Sequence, residues 1–175
     1  MGEKIITIFG TATAPSNDPT YMAAYEIGRL LAQEGFTIAN GGYGGTMLAS
    51  AKGASEAGGK TIGVTCTAFG RRGANEYIQR EIVTATLDER LDTLIKMGMG
   101  YVVLPGATGT LLELAKVWEL KNKGFMPADK PIILVGSFWR SLANLIATVD
   151  AGCLHHIKEA NGPEEVKNIL VENIG

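Results

Sequence analysis

The chain has 175 residues, of which 46% are hydrophobic and 19% charged, and its formal net charge is −2. This length suits one domain with a sizeable core, and the composition excludes a disordered chain. Dispersed charges of both signs give neither the basic footprint of a nucleic-acid-binding protein nor a polybasic membrane patch, so we expect no nucleic-acid partner and no membrane association.

The first residues, MGEKIITIFG, pass into a strand-like run without the hydrophobic core of a signal peptide. Cys66 and Cys153 form no CxxC motif, which argues against a disulfide framework and against a zinc knuckle. His155 and His156 have no partners at ligand spacing, so no metal site is expected. These features together predict a cytoplasmic protein.

Short β-rich runs alternate with helical periodicity along the chain. Several of the strand runs are apolar at successive positions, as in strands that are buried on both faces. The alternation predicts the α/β class, with a doubly wound parallel sheet, helices on both faces and one domain over 1–175. Predicted strands span 4–9, 36–40, 60–66, 81–85, 101–105 and 131–136. Predicted helices span 20–35, 45–57, 86–98, 110–123, 138–150 and 163–173.

Ligands of such sheets bind at the carboxyl ends of the strands, near the point where the strand order reverses. The loops that follow strands are therefore the places to look for a site. Three of them are rich in Gly, Thr or Ser, and the other carries Arg71 and Arg72. The loops are 10–19, 41–46, 67–80 and 105–110.

The familiar phosphate-binding loops do not fit this sequence. Neither GGYGGT nor PGATGT supplies the lysine of a Walker loop. Aligning Gly42 and Gly44 with a dinucleotide fingerprint puts Met47 where the third glycine belongs, and the first strand does not lead into that loop. Magnesium-dependent nucleotide hydrolysis and ordinary NAD chemistry are therefore disfavoured.

The PGATGT corner permits two interpretations. Gly106 and Gly109 allow a sharp turn before a helix that begins near Thr110, and free N–H groups at a helix start favour an anion such as phosphate. The hydroxyls of Thr108 and Thr110 would add donors. Alternatively, Thr110 is an N-cap and Glu113 closes a Thr-x-x-Glu capping box, which satisfies backbone donors and has no further role.

Arg90 also permits two interpretations. It lies at the flank of an apolar helical stripe that includes Leu87 and Leu94. A solvated flank arginine whose methylenes cover apolar neighbours is the structural interpretation, and a site residue is the functional one. Thr86 and Glu89 form a second potential capping box at the start of the same helix.

These motifs resemble the LOG family of phosphoribohydrolases, the cytokinin-activating type often labelled lysine decarboxylase-like. That family sits in a wider Rossmann-like group that includes molybdenum-cofactor carrier proteins, and the similarity covers about residues 4–150. Residues 105–113 resemble the motif PGGxGTxxE, and 89–91 resemble the context of the family's arginine. Residues 41–47 are similar to its GGGxxGLM loop, and 10–13 occupy the place of its GSS-like loop.

The resemblance implies a nucleoside 5′-monophosphate phosphoribohydrolase, which hydrolyses the N-glycosidic bond and needs neither a cofactor nor a metal. It assigns catalysis to Arg90 and Glu113, with a nucleotide of the AMP or cytokinin monophosphate type as ligand. It also implies a homo-oligomer, dimer or tetramer, and we expect the helices at 86–98 and 110–123 to form the contact. The phosphate- and nucleotide-binding positions that it implies are Gly10, Thr11, Thr13, Gly41, Gly42, Gly44, Gly45, Thr46, Gly106, Thr108, Gly109 and Thr110.

The chain departs from the family pattern at several site positions. Leu91 replaces a lysine, Ala107 replaces a glycine, and Tyr43 and Thr46 alter the second glycine loop. Loss of the lysine removes a cation near the expected phosphate. An alternative is therefore a non-catalytic protein that carries or binds a nucleotide or the molybdenum cofactor, and another is a structural domain with vestigial loops.

Overall fold

A single parallel sheet forms the centre of the molecule in the computed structural model, which describes residues 2–175. Its strands are β1 (Ile5–Phe9), β2 (Thr37–Asn40), β3 (Thr61–Cys66), β4 (Arg80–Thr84), β5 (Gly100–Val103), β6 (Ile132–Val135) and β7 (Ile157–Ala160). All neighbours are parallel, in the order β4-β3-β2-β1-β5-β6-β7. The direction of winding reverses between β1 and β5, which is where such sheets form their ligand crevice.

Helices cover both faces of this sheet. They are α1 (Pro19–Gln33), α2 (Thr46–Glu56), α3 (Leu87–Met97), α4 (Thr108–Asn122), α5 (Arg140–Ala147) and α6 (Pro163–Ile174). Buried residues of α1, α2 and α6 share one core cluster, and those of α3, α4 and α5 share the other. None of the helices within residues 2–175 has the length and apolar character needed to cross a membrane.

Strand β5 shows why the strand runs read as uninterrupted apolar sequence. Tyr101 and Val103 point into the core under α3 and α4, while Val102 points into the core under α1 and α6. Side chains alternate along a strand, so a strand covered on both faces needs apolar residues at every position. The predicted α/β class, with a doubly wound sheet and helices on both faces, is confirmed.

The predicted strands and helices are all present, with ends that differ by a few residues, and β7 is the element that the sequence pattern missed. Its central residues, Lys158 and Glu159, are exposed, and it pairs only with β6 at the edge of the sheet. An edge strand needs little apolar sequence, and charges there discourage pairing with other chains. The short 3-10 helix that precedes it, Ala151–His156, contains both histidines.

Candidate active site

A cavity of about 490 Å³ opens at the carboxyl ends of β1, β2, β3 and β5. It lies beside the reversal in strand order, and its volume is in the range of small-molecule sites. Its walls are the loops after these strands together with α3 and the beginning of α4. The predicted site residues that line it are Gly10, Thr11, Thr13, Arg90, Gly109, Thr110 and Glu113.

Helix α3 places Arg90 at the cavity wall. Thr86 is the N-cap of this helix, and its hydroxyl accepts a hydrogen bond from the Glu89 N–H at 3.2 Å. The Glu89 carboxylate accepts a hydrogen bond from the Ala85 N–H at 2.9 Å. The predicted capping box therefore forms, but Glu89 binds the backbone N–H of Ala85 instead of that of Thr86. The apolar face of α3 enters the core and fixes the rotation of the helix, which turns Arg90 towards the cavity.

Arg90 is buried, with 7% of its surface exposed, so its interpretation as a solvated flank residue is wrong. Its Nε donates a hydrogen bond to the carbonyl of Val64 at the end of β3, at 2.8 Å. Its Cζ lies 5.7 Å from the centre of the Tyr43 ring and 5.6 Å from that of Phe69, within reach of cation–π attraction. The guanidinium is therefore held in one orientation, with one edge left for Glu113.

Glu113 faces Arg90 and does not cap its own helix. Helix α4 begins at Thr108, and Ala107 is its N-cap, so Thr110 lies inside the first turn. The capping-box interpretation of Thr110 and Glu113 is therefore wrong. Glu113 Oε1 lies 3.7 Å from Arg90 Nη1, a distance that suits an ion pair but exceeds that of a hydrogen bond.

The environment of Glu113 changes its proton affinity. Its side chain is only 13% exposed. Burial raises the pKa of the carboxyl group to about 7, against the opposing attraction of Arg90. Near neutral pH both the acid and the carboxylate are populated, so this group can accept or release a proton during a reaction.

The start of α4 adds backbone donors beside Glu113. The Leu111 N–H donates to the Ala107 carbonyl at 3.0 Å and begins the hydrogen-bond ladder of the helix. The N–H groups of residues 108–110 precede that ladder, as in any helix start, and suit an anion. Thr110 and Gly109 line the cavity, whereas Thr108 and Gly106 lie outside its lining.

The second glycine loop lies behind the wall of the cavity. Gly41, Gly42, Gly44, Gly45 and Thr46 do not belong to its lining, although Tyr43 between them does. A methyl group at Gly41 would overlap Arg90 Nη2, so glycine there makes room for the arginine. Direct ligand binding by these residues stays a prediction.

The same loop also fixes the first loop, 10–13, against α2. The backbone N–H and the hydroxyl of Thr46 both donate to the carbonyl of Thr11, at 2.9 and 3.0 Å. Gly45 has φ +60° and a Cβ there would overlap Thr11, so close backbone approach requires glycine. Thr11 and Thr13 are thereby held at the cavity, where their hydroxyls are 3.1 Å apart.

Three positions that depart from the family pattern also border the cavity. Leu91 is 3% exposed and belongs to the core under α3 and α4, and Ala107 is exposed at the start of α4. The Tyr43 hydroxyl accepts from the Cys66 N–H at 2.9 Å, which fixes the ring under Arg90. Because Leu91 borders the cavity, leucine at this position makes the cavity wall more apolar than lysine would.

Sequence reasoning named the loop after β3 as a place to look for a site, but it missed two residues of that loop. Phe69 lines the cavity, and Asn75 donates from Nδ2 to the carbonyls of Gly42 and Tyr43 at 3.1 and 2.8 Å. An aromatic residue three positions after a buried strand, in a loop that also carries two arginines, was the available signal for Phe69. Between residues 2 and 175 no three His, Cys, Asp or Glu side chains gather as a metal-ligand set.

Comparison with known proteins gives relatives of two kinds. The model of the SLOG cluster4 family matches residues 3–165. A Mycobacterium tuberculosis protein named cytokinin riboside 5′-monophosphate phosphoribohydrolase is 34% identical over 137 residues, which cover 77% of this chain and 71% of that relative. The residues that the family model matches include the motifs at 89–91 and 105–113.

The second kind of relative consists of solved structures whose fold matches that of the whole chain. A molybdenum cofactor binding protein from Rippkaea orientalis has a TM-score of 0.81 and 26% identity, and the match covers 100% of this chain and 99% of that one. The molybdenum cofactor carrier protein from Chlamydomonas reinhardtii has a TM-score of 0.79 and 24% identity, with 99% of both chains covered. The chain therefore belongs to the SLOG cluster4 family and to the LOG-type proteins of the Rossmann-like group that also contains molybdenum-cofactor carriers.

Proposed function

We propose that this protein hydrolyses the N-glycosidic bond of a nucleoside 5′-monophosphate and releases the free base and ribose 5-phosphate. The observation that carries the proposal is the buried pair of Arg90 and Glu113 at the wall of the cavity, beside the start of α4. The relative from M. tuberculosis carries the name of such an enzyme, which supports the same reaction class.

Glu113 would act on the sugar and on the attacking water. Cleavage of the bond between C1′ and the base nitrogen builds positive charge on the ribose, as in an oxocarbenium ion. A carboxylate at that place stabilises the charge and accepts a proton from water as the C1′–O bond forms. The bonding electrons leave with the base nitrogen, which takes its proton from solvent.

Arg90 would bind and orient the nucleotide, and it would not donate a proton to the leaving base. Its guanidinium remains protonated at any physiological pH, so proton transfer from it is unfavourable. Its charge holds Glu113 in place, and its N–H groups can bond to the bound nucleotide or to the departing base. A 5′-phosphate on the N–H groups of residues 108–110 would bring the ribose to Glu113, so that phosphate binding is used for orientation.

The direct test is release of base from a panel of nucleoside 5′-monophosphates, followed by chromatography. We expect base and ribose 5-phosphate in equal amounts, and a rate at least about a hundredfold lower for Glu113→Gln, in line with the loss of a general base. The matching nucleosides, which lack the phosphate, should be poor substrates. Equal rates for the parent protein and Glu113→Gln across the panel would refute hydrolysis at this site.

Non-catalytic carriage of a phosphate-bearing ligand is the second candidate function. It is favoured by the full-length match to the molybdenum cofactor binding protein and by Leu91 in place of the family's lysine. A carrier would retain its ligand through purification, and native mass spectrometry would find a bound mass that persists without turnover. Release of base by the parent protein would decide against it.

The predicted homo-oligomer stays a prediction. Leu87 on α3 and Leu111 and Leu112 on α4 are exposed large apolar residues of the two helices proposed for the contact. Burial of these side chains between subunits would cover apolar surface.

A further inference from the structure

Asn40, the last residue of β2, is a fully buried polar side chain to which the proposed reaction gives no role. It does not belong to the lining of the cavity. Its Oδ1 accepts a hydrogen bond from the Gly42 N–H at 2.8 Å, and its Nδ2 donates to the Met47 carbonyl at 2.9 Å and to Ser50 Oγ at 3.1 Å. An apolar side chain would need no partners here, so these three bonds are what asparagine adds at this position.

The bonds of Asn40 join the second glycine loop to the helix that follows it. Met47 and Ser50 lie in the first turns of α2, and Gly42 lies in the loop between β2 and α2. Within residues 2–175 the Gly42 N–H has no other acceptor. An asparagine that binds the N–H group two residues further on forms an Asx turn, which fixes the direction in which the chain leaves the strand. Gly41 lies inside this turn, so Asn40 sets its position.

Gly41 borders the guanidinium of Arg90. A methyl group at Gly41 would overlap Arg90 Nη2 and Met47 Sδ, so both atoms lie against the Gly41 backbone. Arg90 Nε is bonded to the Val64 carbonyl at 2.8 Å, and Nη1 lies 3.7 Å from Glu113 Oε1. The Gly41 backbone therefore limits the guanidinium on the Nη2 side. It follows that the Asx turn defines one wall of the space that Arg90 occupies.

We propose that Asn40 is a positioning residue for Arg90. Its bond to the Gly42 N–H fixes Gly41, and the Gly41 backbone keeps the guanidinium at its distance from the Glu113 carboxyl group. This inference rests on the proposed hydrolysis only for its effect on the rate. The attraction of Arg90 opposes the effect of burial on the pKa of Glu113, so a displaced guanidinium should change that pKa with or without catalysis.

The test compares two substitutions of Asn40 that have nearly the same shape. Threonine and valine are both β-branched and suit the end of a strand, but only the threonine hydroxyl can accept a hydrogen bond from the N–H group two residues further on. We expect kcat for the best nucleotide substrate to fall about tenfold or more in Asn40→Val and to stay within about threefold of the parent in Asn40→Thr. KM should change little in both, because the start of α4, where we expect the phosphate, is not altered.

Ser50→Ala is the matched control, because Ser50 belongs to the same buried cluster. It removes one partner of Asn40 and leaves the bonds to Gly42 and Met47 in place, so its kcat should match that of the parent. A parental kcat in Asn40→Val, or equal losses in Asn40→Val and Asn40→Thr, would overturn the inference. If Asn40→Val does not fold, Asn40→Ser and Asn40→Ala make the same comparison with a hydroxyl and without one.

A titration of the ligand-free protein separates positioning from hydrolysis. Carbon NMR follows the Glu113 carboxyl group, whose signal is the one that Glu113→Gln lacks. Its midpoint should move by about half a pH unit or more in Asn40→Val and stay unchanged in Asn40→Thr. That movement, without release of base by the parent, would refute the proposed function and leave the positioning role standing. An unmoved midpoint with an active parent would overturn the positioning role and leave the proposed function standing.

Discussion

The glycine-rich loop at 41–45 and the corner at 105–110 look alike in sequence, since each follows a buried strand and precedes a helix. Their surroundings differ. The first is occupied by the protein's own groups: Arg90 fills the space beside Gly41, and the Thr11 backbone approaches Gly45. At the second, a Cβ on Gly109 would meet no atom within 4 Å in the described structure, and Gly109 borders the cavity.

The difference shows that two similar glycine motifs can serve different purposes in one site. Loop 41–45 positions the arginine and the first loop, so its glycines act through other residues. The corner at 105–110 exposes the start of α4 to the cavity and so presents donors directly. Substitutions at the two places should therefore affect different measurements.

Among substitutions in the two glycine-rich loops, Gly41→Ala should have the largest effect, and this effect is on catalysis. The added methyl group overlaps Arg90 Nη2, so the guanidinium must shift relative to Glu113 and to the Val64 carbonyl, which it contacts through Nη1 and Nε. A displacement of about 1 Å at a reacting group can lower the rate about a hundredfold. We expect that loss in kcat for the best nucleotide substrate, measured as released base under saturating conditions.

Gly152→Ala is the matched control for Gly41→Ala. Its Cβ would meet only Asp150 Oδ1 at 3.5 Å, an ordinary contact, and it lies in the 3-10 helix before β7, outside the lining of the cavity. This variant should retain the parent rate. Unimpaired kcat in Gly41→Ala would show that the position of Arg90 does not matter and would remove the distinction between the two glycine loops.

Whether the sequence could predict a feature of these loops depends on how far apart in the chain the interacting residues lie. The doubly apolar strands and the loops at their carboxyl ends follow from local pattern, and both were predicted correctly. The orientation of Arg90 was not, because a flank position on α3 suits either solvent or cavity. A carbonyl on β3, at Val64, and a carboxyl on α4, at Glu113, decide it, and neither is near Arg90 in the chain.

The capping-box interpretation of α4, one of the two that the sequence left open, fails for a related reason. Thr110 and Glu113 have the spacing of a cap, and sequence alone does not fix the first residue of the helix. The helix begins at Thr108, and Thr110 is buried inside its first turn. Packing of Leu114, Val117 and Trp118 in the core under α3 and α4 sets the rotation of α4 that brings Glu113 to Arg90.

A second effect, on stability and not on the rate, should appear in Glu113→Gln as pH changes. The pKa of Glu113 is raised from 4.5 to about 7, so between these values the folded protein binds more protons at this site than the unfolded chain does. The parent's free energy of unfolding therefore falls as pH rises through this window, by about 3 kcal/mol in all. Glutamine does not titrate, so Glu113→Gln should gain stability relative to the parent between pH 4 and pH 8.

Urea denaturation of both proteins at pH 4 and pH 8 measures this gain as a change in the difference of unfolding free energies. Asp88→Asn, an exposed change in the first turn of α3, controls for removal of a negative charge. It should leave the difference nearly constant. A constant difference for Glu113→Gln as well would contradict the raised pKa and with it the role of Glu113 as a base near neutral pH.

The smallest expected effect concerns the corner at 105–110, where two glycines should respond in opposite ways. Gly109→Ala meets open space in the first turn of α4, so the reduced freedom of the unfolded chain should stabilise the protein by about 0.4–1 kcal/mol. The added methyl group of Gly106→Ala overlaps the side chain of buried Thr110, so this variant should destabilise the protein by about 1–3 kcal/mol. Urea denaturation at one pH measures both.

Because alanine keeps the N–H group, Gly109→Ala should also keep its affinity for a nucleotide within about twofold, provided that the backbone is what holds the phosphate. A large loss of affinity in this variant would mean that the ligand needs the space beside Gly109, and the corner would then resemble loop 41–45 after all.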